Sequence, residues 1–268
     1  MISNPAAPFP ALLSNIAQTN GAITASAGDD WRQGRTLYGG LSAALCVEAA
    51  GRLFEGLPPL RSAQFAFVGP ASGAVSVRPE LLRRGKSTAF IGADLHGEAG
   101  LATRATLCFA APRSSALAYR AMPAPAVPPP ASCPDFFARG ARPAFARNFD
   151  AKLAGGALPC SASASPEIVL WIRHAGAYPA QDATALVALA DVAPPAAMAM
   201  FAAPAPISTM TWSVEMLRID APASPDGWTL LRSTAQSVSS GYAAQLMELW
   251  DEQGCPLMIS TQCVAVFA

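Results

Sequence analysis

The 268 residues hold 18 Lys+Arg against 18 Asp+Glu, a formal net charge of +0, and only 13% of them are charged while 52% are hydrophobic. Nucleic-acid binding needs a basic footprint, and the densest basic cluster is only Arg83, Arg84 and Lys86, so nucleic acid is excluded as a partner. No apolar run reaches the roughly 18 residues of a membrane span, and Met1 to Leu13 lacks the positive charge that opens a signal peptide, so no membrane partner and a cytoplasmic location are expected.

The first element is a short strand near Ile23 to Ala27, followed by the polar stretch Gly28 to Thr36 and then Leu37-Tyr38-Gly39-Gly40. From there to about Phe54, Leu41, Leu45, Ala49 and Leu53 recur at helical spacing, which predicts a helix with one buried stripe. Ala43, Ala44, Ala49, Ala50 and Gly51 would let another backbone approach it, and Pro58-Pro59 stops it. Four alternating segments follow at Arg61 to Val68, Ala74 to Leu82, Ser87 to Leu95 and Leu101 to Ala111, with turns at Arg83 to Lys86 and His96 to Gly100. Period two with regular turns argues an antiparallel meander, and one helix against it gives an α+β unit.

Residues 113–165 are rich in Pro, Ala and Ser and read as a linker with little regular structure. Its Phe136, Phe137, Phe145 and Phe149 argue that part of it lies against a domain surface. The order then repeats, with a strand at Ile168 to Ile172 and a helix at Asp182 to Ala193 stopped by Pro194-Pro195. Strands are expected at about Thr209 to Ile219, Trp228 to Ser237, Tyr242 to Trp250 and Pro256 to Phe267. The chain therefore divides into 1–112, the linker 113–165 and 166–268. The last hairpins overlay without gaps, which sets Cys108 opposite Gln262 and supports an internal duplication.

Some residue types carry little chemistry here. Cys46, Cys108, Cys133, Cys160, Cys255 and Cys263 form no CxxC pair and read as buried free thiols. His96 and His174 lie far apart, so no metal site is expected. His174 reads as a strand-end surface residue and His96 as an exposed turn residue. No Gly-rich loop or GxSxG elbow is present, so neither a nucleotide cofactor nor a serine nucleophile is expected.

The order of motifs over both halves resembles the double hotdog acyl-CoA thioesterases of the TesB-like type. The carriers are Leu37-Tyr38-Gly39-Gly40, Phe67-Val68-Gly69-Pro70, Leu82 to Ser87, Ala105 to Phe109, Leu186 to Asp191, Gly227 to Leu231, Trp250 to Gly254 and Ile259-Ser260-Thr261-Gln262. The resemblance implies two antiparallel sheets, each wrapped around a central helix, with no cofactor. It also implies an acyl-CoA or related acyl thioester as substrate. Two units in one chain already resemble a dimer of single hotdogs, and further pairing into a homodimer stays open.

The family's site uses a carboxylate, a hydroxyl and a Gln from the second unit to activate a water. The Gln carries over to Gln262, and the hydroxyl to Ser237 or a neighbour. The carboxylate position at the start of the long strand aligns with Thr211, and its first-unit counterpart with Gln64, both neutral. Threonine accepts no proton at neutral pH, so a replacement base is needed. Asp191, in a Leu-Ala-Asp pattern like that of single-hotdog thioesterases, is the nearest candidate, and Glu48 is a second. Gly39 and Gly40, just before a helix, would let a thioester carbonyl approach free N–H groups. Two readings stand: hydrolysis by a positioned water without covalent intermediate, or an acyl-thioester-binding protein with little turnover.

Overall fold

The computed structural model describes residues 8–138, 142–176, 182–218 and 227–268. A short helix α1 (Phe9–Ser14) is followed by β1 (Ala17–Thr19), β2 (Ala22–Ser26) and a small hairpin of β3 (Arg32–Gln33) and β4 (Thr36–Leu37). The long helix α2 (Gly39–Leu53) then precedes β5 (Leu60–Phe67), β6 (Ala74–Arg84), β7 (Thr88–Gly97) and β8 (Gly100–Ala110). The second half contains β9 (Phe149–Gly156), β10 (Glu167–His174), α3 (Ala183–Ala190), β11 (Ile207–Met216), β12 (Thr229–Ser239), β13 (Tyr242–Asp251) and β14 (Pro256–Val266).

The fold is α+β. Among the described residues, the strands other than the β3–β4 hairpin form one twelve-stranded sheet, in the order β1-β2-β6-β7-β8-β5-β11-β14-β13-β12-β10-β9. The two expected sheets are thus fused. β5 and β11 pair antiparallel from Ser62↔Glu215 to Ala66↔Thr211, which satisfies an edge of each half with the other. Strand order runs outward from this seam in the same sequence on both sides, so the halves are related head to head.

Both principal helices lie on one face of the sheet and pack against each other. Leu41 to Val47 of α2 are all buried, and so are Thr184 to Ala190 of α3. A helix apolar on nearly every side belongs in a core. The alanines of α2 keep the pair close: Ala43, Ala44, Ala49 and Ala50 are wholly inaccessible.

Several expectations fail for identifiable reasons. The linker is not devoid of regular structure, because β9 pairs with β10 at the sheet edge. The expectation that part of this stretch lies against a domain surface does hold: Phe136, Phe145 and Phe149 are buried, and the Pro-rich run lies on the opposite face of the second half. There Trp171 Nε1 donates to Pro128 O at 2.8 Å and Trp250 Nε1 to Met122 O at 2.9 Å. His174 is buried, not superficial, since α1 covers it: the Phe9 ring stacks on the imidazole at 4.8 Å, and Nε2 lies 2.9 Å from Ala185 O. Of the six free cysteines, only Cys46 and Cys133 are buried, and Cys263 is exposed. The gap-free overlay also fails. Leu95 pairs with Thr103 but Leu249 with Met258, so the second hairpin holds one more residue, and Cys108 lies between inward Leu107 and Phe109 while Gln262 faces in. The expected end of the long strand, Ile219, lies outside the described residues.

Candidate active site

The site forms where the end of one helix meets the start of the other. Helix α3 begins under an N-cap, with the Asp182 side chain accepting from Ala185 N at 2.8 Å. It ends at Asp191, its C-cap residue. A carboxylate at its own helix C-terminus is electrostatically disfavoured. Here the first turn of α2 supplies the compensation. Free N–H groups point out of a helix start, and that of Gly40 donates to Asp191. A β-carbon on Gly39 would stand 2.9 Å from Asp191 Oδ2, so only glycine leaves the carboxylate room.

The second donor comes from the sheet. Gln262 on β14, 4% exposed, donates from Nε2 to Asp191 Oδ1 at 2.8 Å. Burial pushes the Asp191 carboxyl up to about 7, against the opposing pull of the Gln262 and Gly40 donors. Tyr38 packs behind it. Its hydroxyl donates to Ala188 O at 2.9 Å and its ring stacks on Phe145 at 4.2 Å. Burial, with the nearby Asp191 charge, holds that phenol protonated.

Asp191 opens onto a cleft of about 480 Å³ whose lining includes Arg35, Gly39, Phe67, Val68 and Thr209. The first half supplies β4, the start of α2 and the end of β5. The second supplies the end of α3 and the start of β11. Asp191 and Arg35 are the ionisable side chains among the lining residues, and Arg35 is exposed. Among the described residues no cluster of His, Cys, Asp and Glu could hold a metal ion.

The anticipated residues are thus divided. Asp191 and Gly39 line the cleft, and Gly40 and Gln262 both donate to Asp191. Thr211, Ser237 and Gln64 stand on the opposite face of the sheet, exposed. Thr211 lies there in a separate hollow with Ser213, Thr261 and Cys263. A bulge explains Thr211. Thr209 pairs with inward Val264 and Thr211 with exposed Cys263, leaving Met210 as the extra residue. One extra residue reverses the alternation, so Thr209 reaches the cleft and Thr211 does not. Thr209 was missed because nothing in Ser208-Thr209-Met210-Thr211 marks the bulge. Glu48 serves a different junction. It pairs with Arg52 at 2.7 Å and accepts from Thr184 Oγ1, in the first turn of α3, at 3.2 Å.

Two fused helix-and-sheet halves with a carboxylate at their helix junction define a tandem hotdog-like protein. The chain is matched over residues 124–266 by the model of the acyl-CoA thioesterase C-terminal domain, and over 27–110 by that of the N-terminal domain. It therefore belongs to the acyl-CoA thioesterase family. Among solved structures it is similar to a conserved hot dog fold protein of unknown function from Alicyclobacillus acidocaldarius (25% identity, TM-score 0.84, covering 96% of this chain and 97% of that one). A candidate thioesterase II from Thermobifida fusca is similar at 22% identity and TM-score 0.83, over 99% of both chains. A candidate thioesterase from Novosphingobium aromaticivorans shares 23% identity at TM-score 0.79, over 94% of this chain and 98% of its own. At these identities the last two show the fold alone. No curated protein matches the chain.

Proposed function

We propose that this protein hydrolyses acyl-CoA or related acyl thioesters by direct attack of water, without a covalent intermediate. The supporting observation is Asp191: a carboxylate open to a cleft, fixed by two donors, with a pKa raised to about 7. A base whose pKa lies near the working pH is ionised often enough to act and basic enough to take a proton.

Water would sit between Asp191 and the thioester carbon, with Thr209 as the hydroxyl that orients it. Asp191 takes one proton as the oxygen–carbon bond forms. The carbonyl oxygen becomes an oxyanion facing the free N–H groups of the first turn of α2. Its collapse breaks the carbon–sulfur bond, and the proton on Asp191 passes to the departing thiolate. The products are a carboxylic acid and a free thiol. In this reading each half of the sheet curves around its helix, so the substrate enters along the seam between domains 1–112 and 166–268.

The test is hydrolysis of acyl-CoA thioesters of graded chain length by the wild type and by Asp191→Asn, Gln262→Ala and Thr209→Val. Turnover that collapses in Asp191→Asn is the expected result. No turnover above background on any thioester would overturn the proposal, and acyl-CoA binding without turnover would make the protein a carrier.

A further inference from the structure

A glutamine on the core face of a central strand is expensive unless its amide is fully paired. Gln245 of β13 is such a residue, 2% exposed and directly across the ladder from Gln262. Its Oε1 accepts from the backbone N–H of Ala196 at 3.0 Å. Its Nε2 donates to Gln262 Oε1 at 2.7 Å, with Met247 Sδ at 3.5 Å. Gln262 in turn donates to Asp191.

The direction of this chain is fixed by chemistry. An amide side chain can ordinarily be turned end for end, but a backbone N–H can only donate. Ala196 follows the Pro194-Pro195 pair just beyond α3 and commits the oxygen of Gln245. The nitrogen of Gln245 then faces Gln262, which must answer with its oxygen. The remaining N–H of Gln262 is left for the carboxylate. Without Gln245, the Gln262 amide could turn its oxygen toward Asp191 and accept from the protonated acid, an arrangement the ionised carboxylate, which only accepts, cannot share.

We infer that Gln245 is a positioning residue which, anchored on the Ala196 backbone, sets the polarity of the Gln262 amide and so aims an N–H donor at Asp191. This deepens the hydrolytic reading and rests on it for its catalytic consequence, though not for the hydrogen-bond relay itself. The other ionisable groups facing Asp191 are the Tyr38 phenol, tied to Ala188, and exposed Arg35 at the cleft mouth. Neither touches Gln245 in the relay, so a change at Gln245 reaches Asp191 through Gln262.

The experiment reads Asp191 directly. The carboxyl carbon is titrated by ¹³C NMR in the full-length wild type, in Gln245→Met and in Gln262→Met, with Asp191→Asn identifying its resonance. Gln245→Met keeps the volume and removes the polarity. Its expected effect is a rise of the Asp191 midpoint by about 0.5–1 pH unit, as a donor to the charged form is lost. The double variant should rise no further than Gln262→Met alone, because the two act in series. In turnover assays the acid limb of the pH profile should move with the midpoint, while KM stays within about twofold. Gln245→Asn, which keeps an amide too short to span both partners, should shift the midpoint in the same direction if the methionine variant folds poorly. A variant that melts earlier but leaves the Asp191 midpoint unmoved overturns the inference, as does a shift that adds to that of Gln262→Met. An inactive wild type would count against the hydrolase reading alone, since the titration is read without substrate.

Discussion

Oδ2 of Asp191 lies 2.9 Å from where a β-carbon on Gly39 would stand, and the Phe67 ring closes the same space at 3.5 Å. Gly39→Ala therefore displaces the carboxylate by a few tenths of an ångström. Alanine is the better helix former, so stability should hold or rise slightly. Turnover should fall about tenfold, since small misplacements of a reacting group are costly. Thermal melts alongside kcat measurements check both halves of this expectation.

On the proposed hydrolysis, the raised Asp191 carboxyl would set the pH dependence of turnover. A base must be ionised to act, so the rate should climb with pH and level off above about 7. Asp191→Asn should lose roughly 100- to 10,000-fold and also lose the acid limb. A pH–rate profile from 5 to 9 would show whether the limb belongs to Asp191.

The bulge at Met210 makes a sharp distinction between two neighbouring threonines. Thr209→Val removes a hydroxyl from the cleft and should lower turnover about 10- to 100-fold, the scale of one lost hydrogen bond at a reacting water. Thr211→Val, on the other face, should stay within about twofold of wild type. Equal losses at both positions would mean the strand carries no such bulge in solution.

Two buried groups pull stability in opposite directions over the same pH window. The Asp191 carboxyl rises from its ordinary 3.8 to about 7 on folding, so its contribution to stability is complete below about 4 and is lost as pH rises to 7. The His174 imidazole falls from 6.5 to about 4, so its contribution is complete above 6.5 and is lost as pH falls toward 4. In the wild type these slopes largely offset. His174→Gln should therefore melt at progressively lower temperature as pH rises from about 4.5 to 6.5, and Asp191→Asn should show the reverse trend. Melting curves at three pH values suffice, because the slope is diagnostic whatever the absolute cost of each substitution.

Local pattern carried much of this fold. The stripe of Leu41, Leu45 and Ala49 marks α2, and the alternation through Val75, Val77, Ile91 and Leu107 marks the meander, because both periods are written in neighbouring residues. The seam between β5 and β11 is not local. Ser62 and Glu215 meet only because two distant edges both need hydrogen-bond partners, and no period records that. Strand β9 hides for another reason: Phe149, Ala151 and Leu153 alternate, but within a Pro-rich stretch whose composition argues against regular structure. At the site, Asp191 was recognisable from Leu189-Ala190-Asp191 before a double proline. Thr209 was lost to a parity error that one bulged residue introduces. Gln245 looked like any polar position in an alternating strand. His174 was misjudged because its cover comes from Phe9, at the far end of the sequence.

The Glu48–Thr184 contact shows what a fused pair permits. Each helix junction sets a carboxylate of one helix against the first turn of the other: Asp191 against Gly40, Glu48 against Thr184. In a dimer of identical chains, any substitution would appear at both junctions together. Here the copies share one polypeptide and mutate independently. One junction is free to be locked by a salt bridge to Arg52 and held as scaffold, while its sister lines the cleft and is free to take on the proposed chemistry.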